Sequence, residues 1–269
     1  MSRRYLIAIP VFNEEAHLAS VLRETRCYAN DILVIDDGST DATPELLADE
    51  PGVAVIRHAR NRGYGASLSD AFAFARRRRY DWLITMDCDE QHEPSYIPKF
   101  MAASGSGEHD IVSGSRYLEV LDDGGSPPPD RRAINRRITR MLNCQLGFNI
   151  TDAFCGFKAY RVPVLSHLNI TVAGYGMPLQ LWVQAWRAGL GVTELPVRLI
   201  YNDPSRHFGG SLDDPTWRYK HYLQVYDAEM AAESPTTRAE SPARRAGSRT
   251  GRAGTAPETA ASKCGASVV

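Results

Sequence analysis

The chain has 269 residues, 43% of them hydrophobic, which suits one large domain with a real core and an appendage. A formal net charge of −1 excludes a uniformly basic protein, so any anion-binding role is local, in the arginines that crowd positions 131–140 or those near the C-terminus. The five cysteines (Cys27, Cys88, Cys144, Cys155, Cys264) are an odd count without a CxxC pair, which argues against a disulfide scaffold and for reduced thiols in a cytosolic compartment.

The apolar run after Met1-Ser2-Arg3-Arg4 is too short for a secretory signal, and no later stretch approaches the ~18 apolar residues of a spanning helix. The expectation is a cytoplasmic protein that meets a membrane, if at all, at its surface. In chain order, Tyr5-Leu6-Ile7-Ala8-Ile9 ends at Pro10 and reads as a strand buried on both faces of a parallel sheet, followed by a helix over 14–29. Ile32-Leu33-Val34-Ile35 repeats the strand signal and stops at Asp36-Asp37-Gly38-Ser39; Thr40 or Asp41 then caps a helix through Ala48. Val53-Ala54-Val55-Ile56 is a third strand, 66–78 a helix after Gly63-Tyr64-Gly65, and Trp82-Leu83-Ile84-Thr85-Met86 a fourth strand ending at Asp87. This alternation predicts an α/β fold with an open, mostly parallel sheet and right-handed crossovers. Beyond it, Ile111-Val112 reads as strand and Ser113-Gly114-Ser115-Arg116 as loop. Positions 122–129 form a mobile Gly/Pro-rich segment, and 131–145 is helical. The domain is expected over 1–232. From 233 to 269 the composition turns to Ala, Ser, Thr, Pro, Gly and Arg, and that tail is expected to be disordered.

Polar residues gather after the strand ends, at Asn13-Glu14, Asp36-Asp37 and Asp87-Cys88-Asp89, where open α/β sheets bind ligands. In Asp87-Cys88-Asp89-Glu90-Gln91-His92, two carboxylates one residue apart can be aimed at one point by a turning backbone. A hard divalent cation needs such oxygen ligands, and Gln91 offers a neutral one. Acidic residues also commonly end strands and cap helices, so this motif alone is weak.

The motif has company. Ile9-Pro10-Val11-Phe12-Asn13-Glu14-Glu15, Val34-Ile35-Asp36-Asp37-Gly38-Ser39-Thr40-Asp41, Asn61-Arg62-Gly63-Tyr64-Gly65, Met86 to His92 and Gly114-Ser115-Arg116-Tyr117 occur in this order. Over roughly residues 5 to 212 the chain resembles family 2 glycosyltransferases of the GT-A fold, a Rossmann-like nucleotide-sugar-binding sheet with helices on both faces. Thr151-Asp152-Ala153-Phe154-Cys155-Gly156-Phe157-Lys158-Ala159-Tyr160-Arg161 is similar to a block of the dolichol- or polyprenyl-phosphate mannose synthases. The resemblance implies a donor nucleotide against Pro10, Phe12, Glu14, Ile35 and Asp37, with Asp87, Cys88 and Ser211 also on the donor. It implies Mg²⁺ or Mn²⁺ at Asp87, Asp89 and Gln91. Catalysis falls to Asp89 with Arg116 and Arg131 on phosphate groups, and to Arg206, which with Ser211 belongs to a closing loop. Guanidinium forks suit phosphate oxygens; the bland alternative for each arginine is a surface ion pair, most of all for Arg206. The chain departs from the family at Gly176 or Gln180, where an acidic residue is usual, and at Leu212, where a lysine is usual.

The function implied is inverting transfer of a hexose, mannose or glucose, from a GDP- or UDP-linked donor to polyprenyl phosphate. An anionic acceptor needs positive charge to hold it in line, whereas a sugar hydroxyl needs a base, for which Asp152 is the candidate. The alternatives are a soluble sugar or glycan acceptor, or a non-catalytic nucleotide-sugar- or RNA-binding protein; no aromatic-interleaved motif favours nucleic acid. On a helix over 131–142, Ile134, Ile138, Met141 and Leu142 share a face, and Arg132, Arg136 and Arg140 form a row. That pattern fits either a peripheral helix in an anionic membrane interface or one packed on the sheet. A membrane-protein partner is left open.

Overall fold

The computed structural model describes residues 3–119, 121, 127–201 and 208–232. The segment 122–126, Arg206 and the tail 233–269, on which expectations were placed above, lie outside the described residues. Met1–Ala231 form one compact unit.

Seven strands make one sheet in the order β3-β2-β1-β4-β6-β5-β7. The first four are β1 (Tyr5–Val11), β2 (Ile32–Asp36), β3 (Val53–Arg57) and β4 (Trp82–Thr85), all parallel. The helices between them are α1 (Leu18–Thr25), α2 (Thr43–Ala48) and α3 (Tyr64–Arg77), with α4 (Ile97–Gly105) after β4. Side chains of β1 alternate between two cores. Ile7, Ile9 and Val11 pack with α1 and α4 residues such as Leu22 and Phe100, while Leu6 and Ala8 pack with Leu68 and Phe72 of α3. A strand sandwiched in this way must be apolar at every position, which is why its sequence lacks alternation.

The second half is built differently. The strand β5 (Ile111–Ser115) runs through the serines expected to loop, because Ser113 and Ser115 are fully buried against neighbouring elements. The strand β6 (Lys158–Arg161) inserts antiparallel between β4 and β5, and β7 (Val192–Pro196) closes the edge beside β5. Three helices, α5 (Pro129–Leu146), α6 (Met177–Arg187) and α7 (Pro215–Ala231), form a third core around Trp182, Leu179, Ile138, Leu142 and Tyr222.

That core shows the apolar face of 131–142 packed on the fold, the second of the two patterns allowed above. Ile138 and Leu142 are wholly buried under α6 and α7, so the apolar face of α5 is spent on the fold and has nothing left to insert. Arg132, Arg136, Arg137 and Arg140 are exposed on the opposite face. Among the described residues no helix is long and apolar enough to cross a membrane.

Candidate active site

The ends of β1, β2 and β4 open onto a cavity of about 780 Å³. The loops after β1 and β2 hold each other. The Asn13 N–H donates to Ser39 Oγ at 3.0 Å, the Thr40 N–H returns a bond to Asn13 Oδ1 at 2.8 Å, and the Glu14 N–H donates to Thr43 Oγ1 at 2.9 Å. Asn13 takes a left-handed conformation (φ 57°), which its short polar side chain tolerates. Pro10, Phe12, Glu14 and Asp37 line the cavity as expected. Ile35 does not. Its side chain lies two residues before Asp37, inside β2, and is fully buried with Leu33 in the core on the α3 side of the sheet.

Asp87, Cys88, Asp89 and Gln91 line the same cavity at the end of β4. Cys88 contributes at its margin only, being 2% exposed and packed in the core. The loop is shaped by His92, whose Nδ1 accepts from the Asp87 N–H at 2.9 Å, and by the Gln91 N–H donating to Asp89 Oδ1 at 3.1 Å. Burial pushes the His92 imidazole down to about 4, so it stays neutral at physiological pH and keeps its acceptor nitrogen on the loop. Gly156, from the loop before β6, faces Asp87; a Cβ there would stand 2.7 Å from Asp87 Oδ2 and 2.8 Å from the Tyr64 hydroxyl. Burial, with the Asp87 carboxylate beside it, holds the Tyr64 phenol well above its ordinary value, so it faces that carboxylate as a neutral hydroxyl.

The donor set fits a hard divalent cation. Two carboxylates and an amide, Asp87, Asp89 and Gln91, line one cavity with Gly156 leaving room beside Asp87, and among the described residues no cluster of three or more His, Cys, Asp and Glu could enclose an ion by itself. Such a cation would take its remaining ligands from phosphates and water.

The far wall of the cavity carries arginines set among aromatic rings. Arg116, at the end of β5, is gripped by Asp152, with Nε to Oδ2 at 2.6 Å and Nη2 to Oδ1 at 2.9 Å; Asn135 Nδ2 adds a bond to Oδ1 at 2.8 Å. Burial alone would raise the Asp152 carboxyl, but the Arg116 charge and these bonds hold it well below the usual carboxylate range. Asp152 is therefore not the base considered above: it is fully buried and remains ionised because it is paired. Arg116 keeps its charge correspondingly firmly, since the Asp152 carboxylate outweighs the cost of burial.

Arg131, near the start of α5, bonds the Tyr201 hydroxyl and lies over the Phe208 ring at 4.6 Å. Phe208 also meets Tyr175 edge-on at 5.3 Å. Behind it stands Arg218 of α7, which no motif announced. It is 2% exposed, donates to the Leu212 carbonyl at 2.8 Å, pairs with Asp130, and also sits 4.6 Å from the centre of the Phe208 ring. Ser211, expected at the donor, is an exposed residue of a short 3-10 turn and does not line the cavity; Phe208 and Gly209 of the same segment do. Gln180, where an acidic residue was looked for, is buried and binds the Thr171 and Val172 N–H groups through Oε1, at 2.8 and 2.9 Å, so it serves the fold.

The sheet with its carboxylate-bearing strand ends and facing arginines is that of a GT-A glycosyltransferase. Residues 6–168 match the family described as "Glycosyl transferase family 2", and the chain belongs to that family. It is 30% identical over 209 residues to an undecaprenyl-phosphate mannosyltransferase of Micrococcus luteus, covering 73% of this chain and 84% of that one. It is 31% identical over 209 residues to a polyprenol monophosphomannose synthase of Mycolicibacterium smegmatis, covering 73% and 77%. Among solved structures, glucosyl-3-phosphoglycerate synthase from Mycobacterium tuberculosis, in complex with Mn²⁺, UDP-glucose and phosphoglyceric acid, matches with a TM-score of 0.66 at 20% identity. That match covers 87% of this chain and 82% of that one, and it is a likeness of fold.

Proposed function

We propose that this glycosyltransferase moves a hexose from a nucleotide sugar to polyprenyl phosphate with inversion at the anomeric carbon. The observation that carries the reading is the division of the cavity. Its lining carboxylates, Glu14, Asp37, Asp87 and Asp89, lie on the strand-end side, whereas the opposite wall presents Arg116, Arg131 and Arg218 among Tyr117, Phe154, Tyr201 and Phe208. The two carboxylates at that wall are both ion-paired, Asp152 with Arg116 and Asp130 with Arg218, and pairing keeps the buried Asp152 ionised with no basicity to offer. Among the described residues the acceptor side therefore favours a nucleophile that is already anionic and attached to an apolar body. A lipid phosphate is both.

In this reading Asp87 and Asp89 with Gln91 would hold Mg²⁺ or Mn²⁺, which would supply positive charge where the diphosphate departs. Phe12, Glu14 and Asp37 hold the nucleoside, and the arginines align the acceptor phosphate for in-line attack, the guanidinium planes fixing two oxygens at once. The relatives named for undecaprenyl-phosphate and polyprenol acceptors support the same choice. The exposed Arg136, Arg137 and Arg140 of α5 would meet anionic headgroups by charge, without insertion.

The test is transfer of radiolabelled hexose from GDP-mannose and UDP-glucose to polyprenyl phosphate, read by partition of product into the organic phase. Asp89→Ala is expected to abolish transfer with an unchanged melting temperature, and EDTA to silence the wild type until Mn²⁺ or Mg²⁺ is restored. Product that stays in the aqueous phase on a neutral sugar acceptor would replace this reading with the soluble-acceptor one.

A further inference from the structure

Asp37 follows directly on β2 and Asp87 lies two residues past β4, and these two strands flank β1. At the spacing of about 4.8 Å between neighbouring strands, these ends lie roughly 10 Å apart along one wall of the cavity. That is the reach of a nucleoside from its phosphate to the edge of its base. With a diphosphate at Asp87 and Asp89, as the reading above requires and on which this inference rests, the base edge falls at Asp37.

An ionised carboxylate has about four acceptor positions, two on each oxygen. On Asp37 most are taken. Oδ1 lies 2.5 Å from His58 Nδ1 and accepts the Arg62 N–H at 2.8 Å, while Oδ2 accepts the Gly63 N–H at 2.7 Å. Among the described residues one position remains, on Oδ2. The arrangement is not free to relax, because Asp37 is 4% and His58 6% exposed, and His58 is anchored behind by Asp70 Oδ2 at 2.8 Å from its Nε2. The Arg62 guanidinium holds the same Asp70 oxygen at 3.0 Å. Gly38, at φ +76°, lets the β2 loop press on the backbone of Arg60, where any side chain would collide, and so locks the two loops together.

Uracil presents a single N–H at its pairing edge, flanked by two carbonyl oxygens. Guanine presents two adjacent donors, N1–H and the exocyclic amine, which a carboxylate matches only with both oxygens. We propose that this chain takes a uridine-linked donor in preference to a guanosine-linked one, and that His58 sets the preference by occupying the second oxygen of Asp37. Asp70 and Arg62 are the groups that keep His58 in place.

Isothermal titration of the whole chain with UDP and with GDP, each in the presence of Mn²⁺, tests this. One charge-assisted hydrogen bond that guanine cannot complete predicts UDP binding tighter by about tenfold or more. GDP binding as tightly as UDP, or more tightly, overturns the proposal. Binding of neither overturns the nucleotide-sugar reading beneath it and this inference with it. In His58→Leu an acceptor position on Oδ1 is released, so the ratio of UDP to GDP affinity should fall toward one through a gain in GDP binding relative to UDP. A folded His58→Leu protein with the wild-type ratio removes His58 from the mechanism. Should that variant not fold, the wild-type comparison still decides the base.

Discussion

Asp152 shows how one side chain can be read two ways until its partners are known. A carboxylate beside a proposed acceptor suggests a base, but Arg116 and Asn135 occupy it and the carboxylate itself is fully buried. Its removal should act through position and stability. Asp152→Asn takes the partner from the part-exposed Arg116 charge and should cost less than the about 3–5 kcal/mol of breaking a fully buried pair, because cavity solvent screens Arg116. Because the folded-state value of Asp152 is depressed, its contribution is fully present above the unfolded carboxylate value of about 3.9 and is lost as pH falls from there toward the folded value. Urea denaturation should therefore show the gap between wild type and Asp152→Asn at pH 7 and a narrowing gap below about pH 4. Residual Asp152→Asn activity should keep the shape of the wild-type pH profile. The loss of a limb of that profile would restore the base.

At the scale of elements, α5 does two jobs with two faces. Its apolar face carries Ile138 and Leu142 into the helical core, where Leu142→Ala should cost about 2–5 kcal/mol in urea unfolding, as emptied core sites do. Its arginine face touches little of the core. Arg136→Glu with Arg140→Glu should leave the melting temperature nearly unchanged while weakening flotation with vesicles containing anionic lipid. Equal flotation of both proteins would remove the basic face as a membrane contact. The double use explains why hydrophobic periodicity could not choose between a membrane-surface helix and a packed one: both demand the same spacing of apolar residues, and only the presence of α6 and α7 decides what covers them.

For the molecule as a whole, the compact unit ends at Ala231. We propose that 233–269 adds nothing to folding or donor binding, since its composition offers few large apolar side chains to bury. Truncation after Ala232 should leave the melting temperature and UDP affinity unchanged, and a fall of several degrees would show that the tail packs. The strand–helix alternation of residues 5–89, and the placing of Asn13, Asp37, Asp87 and Asp89 at strand ends, were determined by the sequence alone. These are local facts, because each motif directly follows the apolar run that makes its strand. The acceptor wall was not legible in that way. Arg116, Asn135, Asp152, Phe208 and Arg218 come from the end of β5, from α5, from the loop before β6, from the segment before α7 and from α7 itself, and no spacing in the chain relates them. The strand β6, four residues containing Lys158 and Arg161, carries no periodicity that would announce it, yet its antiparallel insertion sets Gly156 against Asp87. Local patterning fixes which residues a strand end presents, whereas only tertiary packing decides what faces them across the cavity, because contacts distant in sequence leave no period to read.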